Sequence, residues 1–108
     1  MNEDTINTID ISQTKKRRGI VPYPSSKDYK LTFGEISELS LFVQVMLNAL
    51  SLYYDIPHVS PSGEYNFETS DAVRLFQRLN NLDVTGEVDS VTWDRLAEEY
   101  NFTVNDNQ

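Results

Sequence analysis

The sequence predicts an all-α fold: three helices in one small domain, preceded by a flexible polar and basic arm. Three observations predict it. Apolar residues recur at helical spacing in three separate segments. Loops rich in Gly, Pro, Ser and Asn separate those segments. One template occurs twice, in residues 62–71 ("SGEYNFETSD") and 85–94 ("TGEVDSVTWD"), each time in front of a helix. A chain of 108 residues has room for one domain. Its divisions read as an arm over 1–30, a helical domain over 31–102 and a tail over 103–108.

The arm is polar and lacks periodicity. Pro22 and Pro24 block a helix there and favour extended backbone. The cluster Lys15–Arg18, "KKRR", suits a nucleic-acid or membrane anchor, but a lone four-residue cluster reads better as a solvated patch. A short extended stretch is expected near Tyr29 to Phe33.

The first helix is expected over 35–54. Ile36, Leu39, Val43, Met46, Leu47, Leu50 and Tyr54 share one face, and Glu35 and Glu38 place negative charge in the first turn. A second apolar set, Leu41, Phe42, Val45, Ala49 and Leu52, widens the stripe. Such a helix is wrapped by its own domain or shared with a partner. "DIPHVSPSG", residues 55–63, is a loop. The second helix is expected over roughly 67–79, with Ala72, Val73, Phe76 and Leu79 inward and Arg74, Gln77 and Arg78 outward, the Gln77 side chain being expected to hydrogen-bond to loop backbone. After the loop "NNLDVTG", the third helix is expected over roughly 90–100, with Trp93, Leu96 and Tyr100 on its inner face.

The twice-used template is mostly architecture. Its Gly makes a turn that few other residues tolerate. Its apolar residue, Tyr65 or Val88, can point into the core. Asn66 and Asp89 then stand at helix N-cap positions, where a side-chain oxygen accepts from free N–H groups of the first turn. The carboxylates do not follow calcium-loop spacing, so no metal is expected.

Composition narrows function. Residues 1–30 carry net charge +2 and residues 31–108 carry −10, which argues against sequence-independent nucleic-acid binding by the folded part. No run reaches the roughly 18 apolar residues of a membrane span. No cysteine is present, so thiol chemistry and disulfides are out. The single histidine has no evident Ser–Asp arrangement around it. A glycosidase needs two carboxyls across a cleft, for which three short helices leave little room. A non-catalytic chain without cofactor is therefore expected. "MNEDTINTIDISQ" lacks the basic and apolar regions of a secretory signal, so the expected location is cytoplasmic until release or packaging in a particle, with cell-wall association in view.

Residues 62–96 resemble the helical peptidoglycan-binding domain of bacterial cell-wall hydrolases. That pattern runs Asp-Gly-x-Phe-Gly-x-x-Thr-x-x-Ala-Val-x-x-Phe-Gln, then Leu-x-x-Asp-Gly-x-Val-Gly-x-x-Thr-Trp-x-x-Leu. The chain keeps Gly63, Thr69, Ala72, Val73, Phe76 and Gln77, and further on Leu82, Gly86, Val88, Thr92, Trp93 and Leu96. Upstream, "LSLFVQVMLNALSLYYDIP" resembles the family's first helix, so the likeness covers about residues 34–100. It implies a compact three-helix bundle of the peptidoglycan-binding-domain type. Four loop positions depart from the pattern: Ser62 and Thr85 replace Asp, and Asn66 and Asp89 replace Gly. Gly, Asn and Asp all serve as N-caps, so the fold survives the second change, while a ligand groove would be built from those same loops.

The resemblance implies non-catalytic binding of peptidoglycan or a muropeptide. The candidate rim is Tyr54, His58, Ser62, Tyr65 and Asn66, with Asp89 near it through the second loop. Aromatic rings there would pack on sugar faces while polar groups fix orientation. Of the neighbouring Tyr53 and Tyr54, only one can point inward. His58 reads as a solvated loop residue or as a ligand contact. Trp93 reads as core through its spacing with Leu96, against a role as a sugar-stacking platform. The alternative function is a structural or protein-interaction module of a larger assembly, such as a phage particle or envelope complex. It would engage its partner through the first helix or the arm. Its grounds are the acidic body, the altered loop positions and the wide apolar first helix.

Overall fold

Three helices and no named strand make up the described part of the chain, residues 28–106 of the computed structural model. Helix α1 is Glu38–Leu50, α2 is Phe67–Leu79 and α3 is Ser90–Asp106. Helix α1 packs against both others, more extensively against α3. The fold is the expected all-α three-helix arrangement. The basic cluster Lys15–Arg18 and most of the arm lie outside the described residues.

Helix α1 starts later than its pattern suggests. Ser37 is the N-cap: its backbone is extended and its hydroxyl accepts from the Ser40 amide at 3.1 Å. The residues before it are used by the first loop instead. The Tyr65 amide donates to the Glu35 carbonyl at 2.8 Å and the Ser37 amide to the Gly63 carbonyl at 3.0 Å. Ile36 is thereby held in an isolated bridge with Glu64 and is 77% exposed, not on the inner face. At the other end α1 stops at Leu50. Residues 51–54 form tight turns, with the Tyr53 and Tyr54 amides both donating to the Leu50 carbonyl at 2.9 Å. Pro57 then disfavours helical backbone at Ile56. The buried positions of α1 are Ser40, Val43, Gln44, Met46, Leu47 and Leu50, spaced by three and four residues.

Helix α2 has the expected limits, but two of its residues lie otherwise than helical spacing places them. Gln77 is buried rather than outward, and Leu79 is 49% exposed. The helix turns Gln77 toward the second loop, whose backbone groups need a partner. Helix α3 runs past Tyr100 to Asp106, through residues expected to form the tail. No Gly or Pro follows Tyr100 to end it. The core joins Leu31, Val43, Met46, Leu47, Leu50, Ile56, Val59, Tyr65, Ala72, Val73, Phe76, Val88, Trp93 and Leu96. Trp93 lies inside it, as its spacing indicated. Leu31 enters through two hydrogen bonds with Val88, each 3.0 Å, which is the form the extended stretch near Tyr29 takes.

Candidate functional site

The two copies of the repeated template become two turns held in one way. Gly63 and Gly86 have φ of 83° and 80°, a left-handed conformation that suits glycine. In the first turn, the Gln44 side chain of α1 accepts from the Gly63 amide at 2.8 Å. It donates to the Glu64 carbonyl at 2.8 Å and to the Thr69 hydroxyl at 2.9 Å. In the second turn, Gln77 of α2 accepts from the Thr85 and Gly86 amides at 2.9 and 3.0 Å. It donates to the Glu87 carbonyl at 2.9 Å and the Thr92 hydroxyl at 3.1 Å. Helices α1 and α2 thus each carry a glutamine that clamps the turn launching the next helix.

The caps complete both units. Asn66 Oδ1 accepts from the Thr69 amide at 3.0 Å and Asp89 Oδ1 from the Thr92 amide at 2.9 Å. The first loop is longer and needs a second tie. Asn48 supplies it, donating to the Val59 carbonyl and accepting from the Val59 amide, both at 2.8 Å. Ile56 and Val59 are buried beneath that tie.

On this frame the five rim residues fall into different settings. His58 and Ser62 are exposed on the first loop. The Ser62 hydroxyl accepts from the Glu64 amide at 3.2 Å, a local turn bond that leaves its outer side to solvent. Asn66 is half-buried and its side-chain oxygen serves α2. Tyr65 is fully buried, and its hydroxyl donates to the Gly86 carbonyl at 2.6 Å. It ties the first turn to the second from inside, and burial pushes its hydroxyl well above the usual phenol range. Tyr54 is half-buried at the end of α1 and faces α3, donating to Glu99 Oε1 at 2.5 Å. The bond to Glu99, then burial, push the Tyr54 hydroxyl up to about 12.

Tyr54 also lines an open pocket of about 190 Å³ with Tyr53, Glu99, Phe102 and Thr103. Sequence reasoning missed Glu99 and Phe102, which lie on the extension of α3 and far along the chain from Tyr54. It also missed Gln44 and Asn48. Their signal was present: Ser40, Gln44 and Asn48 form a polar row at four-residue spacing in an otherwise largely apolar helix. Among the described residues, no group of three or more His, Asp or Glu side chains could hold a metal ion, and no helix is long and apolar enough to cross a membrane.

No curated protein and no solved structure matches the chain. The family described as "Putative peptidoglycan binding domain" matches it over residues 38–96. That match runs from the first turn of α1 through Leu96 of α3, more than half of the chain, and contains both clamped turns and both caps. By that extent of agreement, the chain belongs to the peptidoglycan-binding domain family.

Proposed function

We propose that the chain is a non-catalytic module that holds peptidoglycan or a muropeptide at the rim formed by Tyr54, His58, Ser62, Tyr65 and Asn66. The observation that carries this reading is the family match over residues 38–96, which contains all five positions. The geometry supports its exposed part: His58 and Ser62 face solvent, whereas Tyr65 is fully buried and does not itself reach a ligand. His58 and Ser62 are presented on a loop whose course is held by Asn48 and Gln44, so little ordering is needed on binding. Tyr65 acts from below, as the post under the rim, while Tyr54 is turned to Glu99 of α3. Such a shallow site gives weak affinity, on the order of 0.1–1 mM.

Titration with a soluble muropeptide, followed by NMR, tests the site. Shifts are expected to cluster on residues 54–66, and no movement at millimolar ligand would sink the reading. Retention on purified cell walls, with and without about 0.5 M salt, tests the whole module; salt weakens binding through exposed charge pairs and strengthens binding limited by acidic repulsion.

A second reading is a protein-interaction part of a larger assembly, such as a phage particle or envelope complex. It is favoured by an exposed apolar patch. Phe33 and Phe67 stack with ring centroids 4.2 Å apart while remaining 55% and 70% exposed, and Ile36 nearby in sequence is also exposed. Walls that retain nothing, together with a stable complex lost on Phe67→Ser, would favour that reading.

A further inference from the structure

The pocket at the ends of α1 and α3 differs chemically from the loop rim. Three aromatic rings, Tyr53, Tyr54 and Phe102, and one carboxylate, Glu99, surround it, with Thr103 at the edge. Aromatic faces carry negative electrostatic potential and attract cations. Glu99 adds a full negative charge. Its Oε1 is engaged by the Tyr54 hydroxyl, but a carboxylate has about four acceptor sites, so capacity remains on Oε2. Arg95 lies one turn back on α3, its guanidinium 4.0 Å from the exposed Glu98, and its charge reaches Tyr54, where it opposes the effect of Glu99. Tyr53 and Phe102 are 57% and 67% exposed, so the pocket opens to solvent between them. At about 190 Å³ it is smaller than the roughly 300–1,000 Å³ of sites that enclose a whole small ligand, and it suits one end group. The net −10 of residues 31–108 raises the local concentration of cations around it.

We propose that Tyr53, Tyr54, Glu99 and Phe102 form a cage for an alkylammonium group. In the wall-binding context, which rests on the function proposed above, that group is the free side-chain amine of a diamino acid in an uncross-linked stem peptide. Glu99 pairs with the ammonium and the rings cover its alkyl stem. The cage then senses the charge of the peptide while the loop rim contacts the rest of the ligand.

The full chain is titrated by NMR with Nα-acetyl-lysine methylamide, and separately with its Nε-acetylated, neutral analogue. The charged probe is expected to shift residues 53, 54, 99, 102 and 103 with a Kd on the order of 10 mM, and the neutral analogue to leave them unmoved. Glu99→Gln keeps an acceptor for Tyr54 but removes the charge, and should weaken the charged probe at least about fivefold. Urea unfolding of this variant checks that the fold is kept. No shift at about 100 mM probe, or equal shifts with both probes, overturns the cage. Retention on native walls and on walls whose amines have been acetylated separates the two proposals. If the charged probe binds as expected but neither wall sample retains the chain, the cage stands and the wall-binding reading falls. If native and acetylated walls retain wild type and Glu99→Gln equally while the probe leaves the pocket unshifted, the wall-binding reading stands and the cage falls.

Discussion

Gln77 meets two backbone amides, one carbonyl and two threonine hydroxyls with a single buried side chain. Replacing it with Leu preserves size but takes that partner from the Thr85 and Gly86 amides. Thr85 is exposed, so water reaches its amide, whereas the Gly86 amide is buried; a buried group left without a partner costs about 1–3 kcal/mol, so Gln77→Leu should lower stability in urea unfolding by about 2 kcal/mol. A loss below about 1 kcal/mol would mean that water replaces the side chain. The two turn glycines allow a sharper comparison. An added Cβ at Gly63 would meet nothing nearer than the Ser37 carbonyl oxygen at 3.7 Å, leaving only the cost of its left-handed backbone, about 1–2 kcal/mol. At Gly86 the Cβ would lie 2.8 Å from both Arg74 Cζ and Ser70 Oγ. Gly86→Ala should therefore destabilise more than Gly63→Ala, by about 1 kcal/mol further in the same assay. Equal losses would show that Arg74 and Ser70 move aside freely.

At the scale of elements, each cap is expected to hold one helix start. Asn66→Ala and Asp89→Ala should each cost about 1 kcal/mol, while Asn66→Asp should be nearly neutral, as thermal or urea unfolding can check. These caps were legible because a cap is a local event: the residue and its partner amide lie three positions apart. The inner faces of α1 and α3 were legible through Val43, Leu47, Trp93 and Leu96 for the same reason. The ends of α1 were not. Glu35 and Ile36 continue the helical pattern, yet their backbone is bound to residues 63–65, and only the tertiary structure reveals that competition. Gln77 was legible in part: its place in the family pattern pointed to hydrogen bonding with loop backbone, which it makes, while helical spacing alone put it on the outer face. Of the candidate rim, the loop setting of His58 and Ser62 could be read, whereas the burial of Tyr65 and the turn of Tyr54 toward Glu99 depend on contacts across the chain.

The molecule as a whole is joined by tyrosine hydroxyls that stay protonated. Tyr65 links the two turns and Tyr54 links α1 to α3, and both titrate above the ordinary value near 10. A raised folded value means that protonation favours the native state. Their contribution is fully present below about pH 10 and is lost as pH rises through the folded values. Stability should therefore be insensitive to these groups at neutral pH and fall above pH 10, and Tyr54→Phe should flatten the part of that fall between about 10 and 12. A denaturation series across alkaline pH measures it; an unchanged slope in Tyr54→Phe would assign the fall elsewhere. The clamps have a different consequence for the molecule's history. Asn48 fixes the chain at Val59 and Gln44 fixes it again at Gly63, so the stretch over 51–58 is bounded by anchors that belong to α1 itself. Lengthening a loop costs only about 0.6 kcal/mol per doubling when its ends stay in place. Insertions and grafted sequences at the exposed residues 57 and 58, between buried Ile56 and anchored Val59, should be tolerated with the bundle intact, whereas losing Tyr54 or Ile56 should not be, which makes that short turn the natural place to introduce new specificities by design.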